Sequence, residues 1–343
     1  MGFVVEQPGI LTTVQDEGRY GYEQFGMSPS GPMDLESFHI ANLLVGNPKG
    51  ESALELTIMG PTLRFTKANV VAVTGAPLSP KLNGKDCPMN RAFSVSEGDE
   101  LALGAVQGGC RAYVAFAGGL DVPEVMGSRT TALQNKVGGF QGRRLEKGDE
   151  IGFRAPAAAL PHMERRRVER KVETAPVREI RVILGPQEDR FTKEGIDTFL
   201  SGTYTVTKDF NRMGCRLEGP VIAHKEDGNI ISDGMVTGAI QVPTAGQPII
   251  MLAERQTVGG YTKIATVISA DLPSVGQCKA GDQIRFRAVE VAEAHRILRE
   301  KARELEALTE RINAPDPEAK APRCYRATVN GLTFTITLME CDD

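Results

Sequence analysis

A Gly-Asp pair followed at once by an alternating strand occurs three times in this chain, and no other feature constrains its fold as much. The segments are SEGDELALGA, LEKGDEIGFRA and CKAGDQIRFRA, carrying Gly98-Asp99, Gly148-Asp149 and Gly281-Asp282. Glycine supplies the positive φ that a tight turn requires, and a strand follows each turn. Around these turns lie short β-branched runs such as NVVAVTG, RAYVAFAGG, EIRVILGP, YTVT and QPIIML, punctuated by 37 glycines and 20 prolines. Many short strands between turn signals predict a mainly β fold of barrels or sandwiches.

The 343 residues are enough for two cores. ALELTIMGPTLRF is echoed by CRLEGPVIAH, each placing Leu-Glu shortly before Gly-Pro and an apolar strand. This echo, with the repeated turns, predicts two similar β domains in tandem, although a Gly-rich all-β chain can also echo itself by coincidence. A Pro/Ala-rich start and the run Arg165-Arg166-Arg167 mark a linker. The expected layout is a first β domain over 1–155, a linker over 156–176, a second β domain over 177–288, and a C-terminal helix and hairpin over 289–343.

Two helices interrupt the strands. PMDLESFHIANLLVGN spaces Leu35, Phe38, Ala41 and Val45 on one face, with Gly46 at the C-cap. VEVAEAHRILREKARELEAL does the same with Val291, Ala294, Leu298, Ala302 and Leu305. NAPDPEAKAP reads as a flexible linker, and Asn330-Gly331 between two alternating runs signals a β-hairpin.

Composition narrows the function. The net charge is −4, there is no tryptophan, and aromatics make up 6%, which argues against a nucleic-acid partner. No apolar run approaches the ~20 residues of a membrane-spanning helix, and the N-terminus lacks a signal-peptide pattern. Six scattered cysteines, none in zinc spacing, read as reduced thiols of a cytoplasmic protein. Phosphate-loop, dinucleotide, His-based metal and nucleophile-elbow motifs are all missing. So is the Met-Lys pair that carries covalently attached biotin. Any chemistry must rest on carboxylates, Lys, Arg, amides and backbone donors.

Three polar clusters offer those groups. In the first, Gln15, Asp16 and Arg19 precede a Ser/Gly/Pro loop with Ser28, Ser30 and Gly31, which feeds a helix at Asp34. Such a loop suits either an anion at the helix start or a plain N-cap. In the second, FNRMGCRLEGP, Arg212 and Arg216 suit a bidentate clamp on an anion or surface pairing with Asp209 or Glu218. The third runs from Asp233 through Gln241 and Gln247 to ERQTVGGYTKIATVISADLP, with Glu254, Gln256, Lys263 and Asp271. It reads as two strand pieces around a Gly259-Gly260 turn, lining either a polar pocket or a satisfied polar network.

The stretches MSPSGPMDLESFHIANLLVGNPKGESALELTIMGP, NRMGCRLEGP and GAIQVPTAGQPIIMLAERQTVGGYTKIATVISADLP closely resemble the allophanate hydrolase subunit 2 family, also called the biotin-dependent carboxyltransferase family. The resemblance extends over about residues 3–288. It implies tandem cyclophilin-like β-barrel domains. It also implies a partner, the B subunit, from the allophanate hydrolase subunit 1 family, and in the 5-oxoprolinase system an A subunit as well. The chemistry implied for members such as the C subunit of ATP-dependent 5-oxoprolinase is phosphorylation of a lactam oxygen by ATP with Mg, followed by ring opening with water. ATP would bind at a site shared with the partner. The alternatives are a carboxyltransferase component taking carboxybiotin from a separate carrier, and a non-enzymatic antagonist of a kinase inhibitor. Carried over to this chain, the resemblance implies Lys263, Asp271, Arg212 and Gln256 as catalytic residues. Asp16, Arg19, Ser30, Asp34 and Gln241 are the implied substrate-binding residues, with no metal held by the chain itself.

Overall fold

In the computed structural model, which describes residues 2–169, 177–314, 323–329 and 332–338, the three Gly-Asp turns fold alike. Gly98, Gly148 and Gly281 take φ values of 90°, 91° and 93°. The aspartate after each glycine accepts the backbone N–H three residues earlier: Ser96 and Glu146 at 2.7 Å, Lys279 at 3.2 Å. The strands Glu100–Ala102, Glu150–Phe153 and Gln283–Ala288 begin one residue later.

The first half arranges its strands in two sheets. A seven-stranded sheet has Gly2–Gln7 near its middle, between Glu150–Phe153 and Thr62–Phe65. A five-stranded sheet runs in the order Leu11–Gln15, Ala53–Thr57, Arg111–Phe116, Asn69–Gly75, Ala92–Val95. Between them Phe3, Phe65, Phe116 and Phe153 pack with ring centroids 5.1–6.4 Å apart. Each such ring contributes about 1.5–3 kcal/mol on burial. All six residues of Arg111–Phe116 are buried, because helix α1 (Leu35–Leu44) covers the other face of this sheet. A strand covered on both faces cannot alternate.

The second half is a closed seven-stranded barrel. Around it run Val177–Leu184, Lys263–Val267, Ala239–Gln241, Ile249–Met251, Gly214–Glu218, Tyr204–Phe210 and Gln283–Ala288, the last pairing in parallel with the first. Helix α2 (Lys193–Ser201) packs Phe199 on Phe286, with centroids 4.5 Å apart. A two-stranded ribbon, Asn229–Gly234 with Val258–Tyr261, stands off the barrel. Short helix α3 (Leu272–Gly276) and long helix α4 (Val291–Asn313) follow.

The helical readings hold unevenly. On α1, Phe38, Ala41 and Val45 are buried and Gly46 takes φ +76° just past the end, while Leu35 remains exposed. On α4 the expected face is rotated. Ala294, Ile297, Leu308 and Ile312 are the buried residues, and Val291 and Leu298 are exposed. The helix spans both halves: Ile297 packs against the barrel side, Leu308 and Ile312 against α1. Gly259-Gly260 is not a turn. Both glycines lie inside the strand Val258–Tyr261. At the C-terminus Arg323–Val329 pairs with Leu332–Leu338, while Asn330-Gly331 lies outside the described residues, as do 170–176 and 315–322 of the two expected linkers.

A seam of buried polar groups joins the halves. Arg212, from the barrel, donates from Nε to Glu254 at 2.6 Å, from Nη1 to Glu55 of the five-stranded sheet, and from Nη2 to the Gly31 carbonyl at 2.6 Å. Glu55 also accepts from Tyr113 Oη at 2.7 Å and Met33 N at 2.8 Å. Gln277 accepts from the N–H groups of Cys110 and Arg111 and donates to Arg111 O and Asp34. Arg111 in turn donates to the Gly276 carbonyl.

Candidate functional site

Besides the bond from Arg212 to the Gly31 carbonyl, loop 16–31 is tied to the barrel half at two further points. Ser28 Oγ donates to Arg255 O at 2.6 Å, and Ser30 N donates to Ala253 O at 3.1 Å. Ser30 takes φ +58°, the left-handed region, between Pro29 and Gly31. A non-glycine residue held there costs about 1–3 kcal/mol, and such strain concentrates at functional sites. Arg255 Nε donates to Met235 O at 2.9 Å. Met235 Cε would lie 2.6 Å from a Cβ at Gly259, and Gln241 Nε2 only 2.5 Å from it. Gly259 is therefore glycine for space rather than for its dihedral angle, because any side chain would displace the Gln241 amide.

Beyond Gln241 lies Lys263, paired with it in register on the neighbouring strand. Lys263 is 3% exposed, and its ammonium donates to Asp233 at 2.8 Å and to the Gly234 carbonyl at 3.3 Å. Its backbone N–H donates to Gln187 Oε1 at 3.0 Å. The hydrogen bond from Lys263 holds the Asp233 carboxyl below the usual carboxylate range. Ser30, Arg255, Met235, Gly259, Gln241 and Lys263 thus follow one another across one end of the barrel. Three of their polar atoms, Ser30 Oγ, Gln241 Nε2 and Arg255 Nη1, are buried without a partner. All three can donate. Each, like the Lys263 ammonium, is a donor that suits a carbonyl or anionic oxygen.

The remaining expected residues divide between other places. Asp16 organises its own loop, accepting from Gly18 N, Ser128 Oγ and Arg129 N at 2.5–3.0 Å. Arg19, fully buried, clamps that loop by donating to the carbonyls of Val125 and Thr130. Burial pulls its guanidinium below the usual value, with Asp16 opposing. Asp34 caps α1, accepting from Ser37 N at 2.9 Å, so its carboxylate occupies the position where an anion would sit. Arg212 belongs to the seam, and Arg216 is exposed on the strand, so the two make no clamp. Burial opposes the Arg212 charge, but Glu55 and Glu254 outweigh it and raise its pKa. Gln256 is exposed.

Asp271 accepts from Arg181 Nε at 2.9 Å and Nη2 at 2.5 Å, and from the Arg181 backbone N–H. This pair opens on a cavity of about 650 Å³ between the halves, which also includes Asp34, Gln277 and Lys301. Lys263 and Asp233 do not line it. The expectation that Gln256, Lys263 and Asp271 converge is therefore corrected. The short strand Lys263–Val267 separates the lysine from the aspartate, and Gln256 faces solvent.

Three functional candidates escape the sequence reading. Glu55 hides in ALELT as one charge in an almost wholly buried strand, and that apolar setting is the available signal. Arg255 adjoins Glu254 with nothing in the pattern to set it apart, and Gln187 lies in a loop far along the chain. Among the described residues no group of three or more His, Cys, Asp or Glu could hold a metal ion. None of their helices is long and apolar enough to cross a membrane. Cys87, Cys110, Cys215 and Cys278 are free thiols.

A family model for the carboxyltransferase domain, subdomain A and B, matches residues 25–288. The 5-oxoprolinase C subunit of Escherichia coli (strain K12) is 35% identical over 305 residues, which is 89% of this chain and 97% of that protein. Urea amidolyase of Lachancea kluyveri is 37% identical over 305 residues, covering 83% of this chain but only 17% of that much longer protein. Among solved structures, K. lactis urea carboxylase superposes with a TM-score of 0.84 at 31% identity, over 99% of this chain and 32% of that one.

Proposed function

The chain belongs to the carboxyltransferase domain family, subdomains A and B, and on that premise we propose that it is the C subunit of an ATP-dependent 5-oxoprolinase. The observation that carries this reading is the length of the match. It takes in 97% of the E. coli 5-oxoprolinase C subunit, at 35% identity. In this reading the chain acts with the A and B subunits in the cytoplasm. The complex converts 5-oxoproline, ATP and water to glutamate, ADP and phosphate.

The polar face fits the first demand of that chemistry, which is to draw electron density onto the lactam oxygen. Gln241 Nε2 and Ser30 Oγ would donate to it, and Lys263 would oppose the negative charge that grows as the γ-phosphoryl group arrives. One preorganised donor of this kind is worth about 10²–10³ in rate. Asp233, exposed beside Lys263, would accept a proton from the attacking water in this reading. Mg would arrive on the phosphates of ATP. It would keep most of its water and need at most one or two carboxylates, in this reading at an ATP site shared with the B subunit.

The test is co-purification with a B-subunit homologue, then ADP release with 5-oxoproline, with the A subunit added or omitted. Release above background is expected only with 5-oxoproline present, and none with any small lactam refutes the reading. A second reading rests on the similarity to K. lactis urea carboxylase over 99% of this chain. In it the chain passes a carboxyl group from carboxybiotin on a separate carrier to a urea or amide nitrogen. Carboxybiotin-dependent carboxylation of urea would replace the first reading with this one.

A further inference from the structure

Five buried arginines occur among the described residues, and four of them have two or more partners within the chain. Arg212 meets two glutamates. Arg111 meets Glu55 and the Gly276 carbonyl. Arg19 and Arg166 each direct two nitrogens at backbone carbonyls, although Arg19 Nη1, like Arg111 Nε, is buried without a hydrogen-bond partner. Arg255 differs. It is 5% exposed, has a single carbonyl partner for its side chain, Met235 O, and forms no ion pair among the described residues. Its Nη1 is buried without an acceptor. Glu23 is the acid whose charge reaches it, yet Glu23 is engaged by the Gly21 N–H at 3.0 Å and makes no ion pair with Arg255. A buried cation without an anion is costly unless a ligand supplies one.

The surroundings say which ligand. Met235, the partner of Arg255, also abuts Gly259, the glycine that leaves room for the Gln241 amide. Ser30, bonded to Ala253 two residues before Arg255, brings a third unpaired polar atom. Gln241 Nε2 and Arg255 Nη1 are donors, and Ser30 Oγ can be one. The missing partner therefore supplies acceptors: a carboxylate for the guanidinium and a carbonyl oxygen for the amide. Urea has a carbonyl but no carboxylate.

We propose that Arg255 recognises a carboxylate on the substrate, so that this site takes small cyclic amides bearing an acid group rather than neutral ureas. The proposal rests on the lactam-opening reading for its substrate, but its test separates the two. Arg255→Met and Arg255→Lys are compared with the wild type in the complex with the A and B subunits, using 5-oxoproline and its carboxylate-free analogue 2-pyrrolidinone. Loss of one charge-assisted hydrogen bond predicts a KM for 5-oxoproline about 10- to 100-fold higher in Arg255→Met, with partial recovery in Arg255→Lys. The KM for 2-pyrrolidinone, which offers the guanidinium no carboxylate, is expected to change much less than that for 5-oxoproline. Because the buried charge lacks an internal anion, the melting temperature of Arg255→Met is expected to stay level or rise.

Equal losses with both lactams, or a falling melting temperature with unchanged KM, overturn the proposal. If the wild-type complex opens no lactam, the functional reading fails, and calorimetry decides the fate of the arginine. Binding of 5-oxoproline by the wild type and not by Arg255→Met supports carboxylate recognition without turnover. Equal binding by the two proteins, or none by either, overturns it.

Discussion

The seam and the polar face hold charge in opposite ways. At the seam Arg212, Arg111, Glu55 and Glu254 balance one another, and Tyr113 and Gln277 take up remaining valences. Burial, with Glu55 adding to it, raises the Tyr113 hydroxyl well above its usual pKa, so it remains a donor. At the polar face Ser30, Gln241 and Arg255 retain unpaired atoms, and the Lys263 ammonium leans on an exposed aspartate. A closed network supports the fold, whereas an incomplete one awaits a ligand. The same residue types serve both ends, and what tells them apart is that the seam sets its charges against opposite charges, with only Arg111 Nε lacking a hydrogen bond, while the polar face leaves three donors unpaired.

The sharpest way to break this contrast is to open the seam. Arg212→Met strands two buried carboxylates and is expected to destabilise the protein by about 3–5 kcal/mol, read by urea unfolding. A smaller loss, under about 1 kcal/mol, would mean the seam is no more structural than a surface pair. Lys263→Met should do the reverse, lowering turnover by about 10²-fold or more while the unfolding midpoint hardly moves. Gly259→Ala sharpens the contrast further. Its methyl group meets the Gln241 amide, so an overpacking cost of about 1–3 kcal/mol should come with impaired turnover.

The smallest effect concerns pH. Burial lowers the His39 pKa below its ordinary value, with the Glu17 hydrogen bond opposing. The unfolded chain then takes up a proton first as pH falls below about 6.5. Stability is therefore full above that pH and declines as pH drops through the folded pKa. His39→Gln should flatten this slope, measured by urea midpoints between about pH 7 and pH 5.

Much of the fold was legible because it rests on local rules. Gly98-Asp99, Gly148-Asp149 and Gly281-Asp282 announced turns that need only a positive φ and a side-chain acceptor. The site was harder to read because its residues are defined by what they lack. No pattern in ERQTVGG shows that Arg255 will find no anion, or that Gly259 is small to admit an amide from another strand. The two Leu-Glu pairs make the same point. Glu55 is buried at the seam, while Glu218, its echo in the barrel half, is exposed. Arg212 was legible as an anion clamp, and the anions it clamps turned out to be the protein's own.

Gln277 carries one more consequence. Its amide meets the edge of the other half as a neighbouring strand would, accepting from two N–H groups of residues 110 and 111 and returning a donor to Arg111 O. The halves are therefore not interchangeable modules. Descent with recombination could move them only as a pair, since a half joined to a foreign mate would lose this match. By the same logic the two halves, expressed as separate polypeptides, should find each other and rebuild one protein.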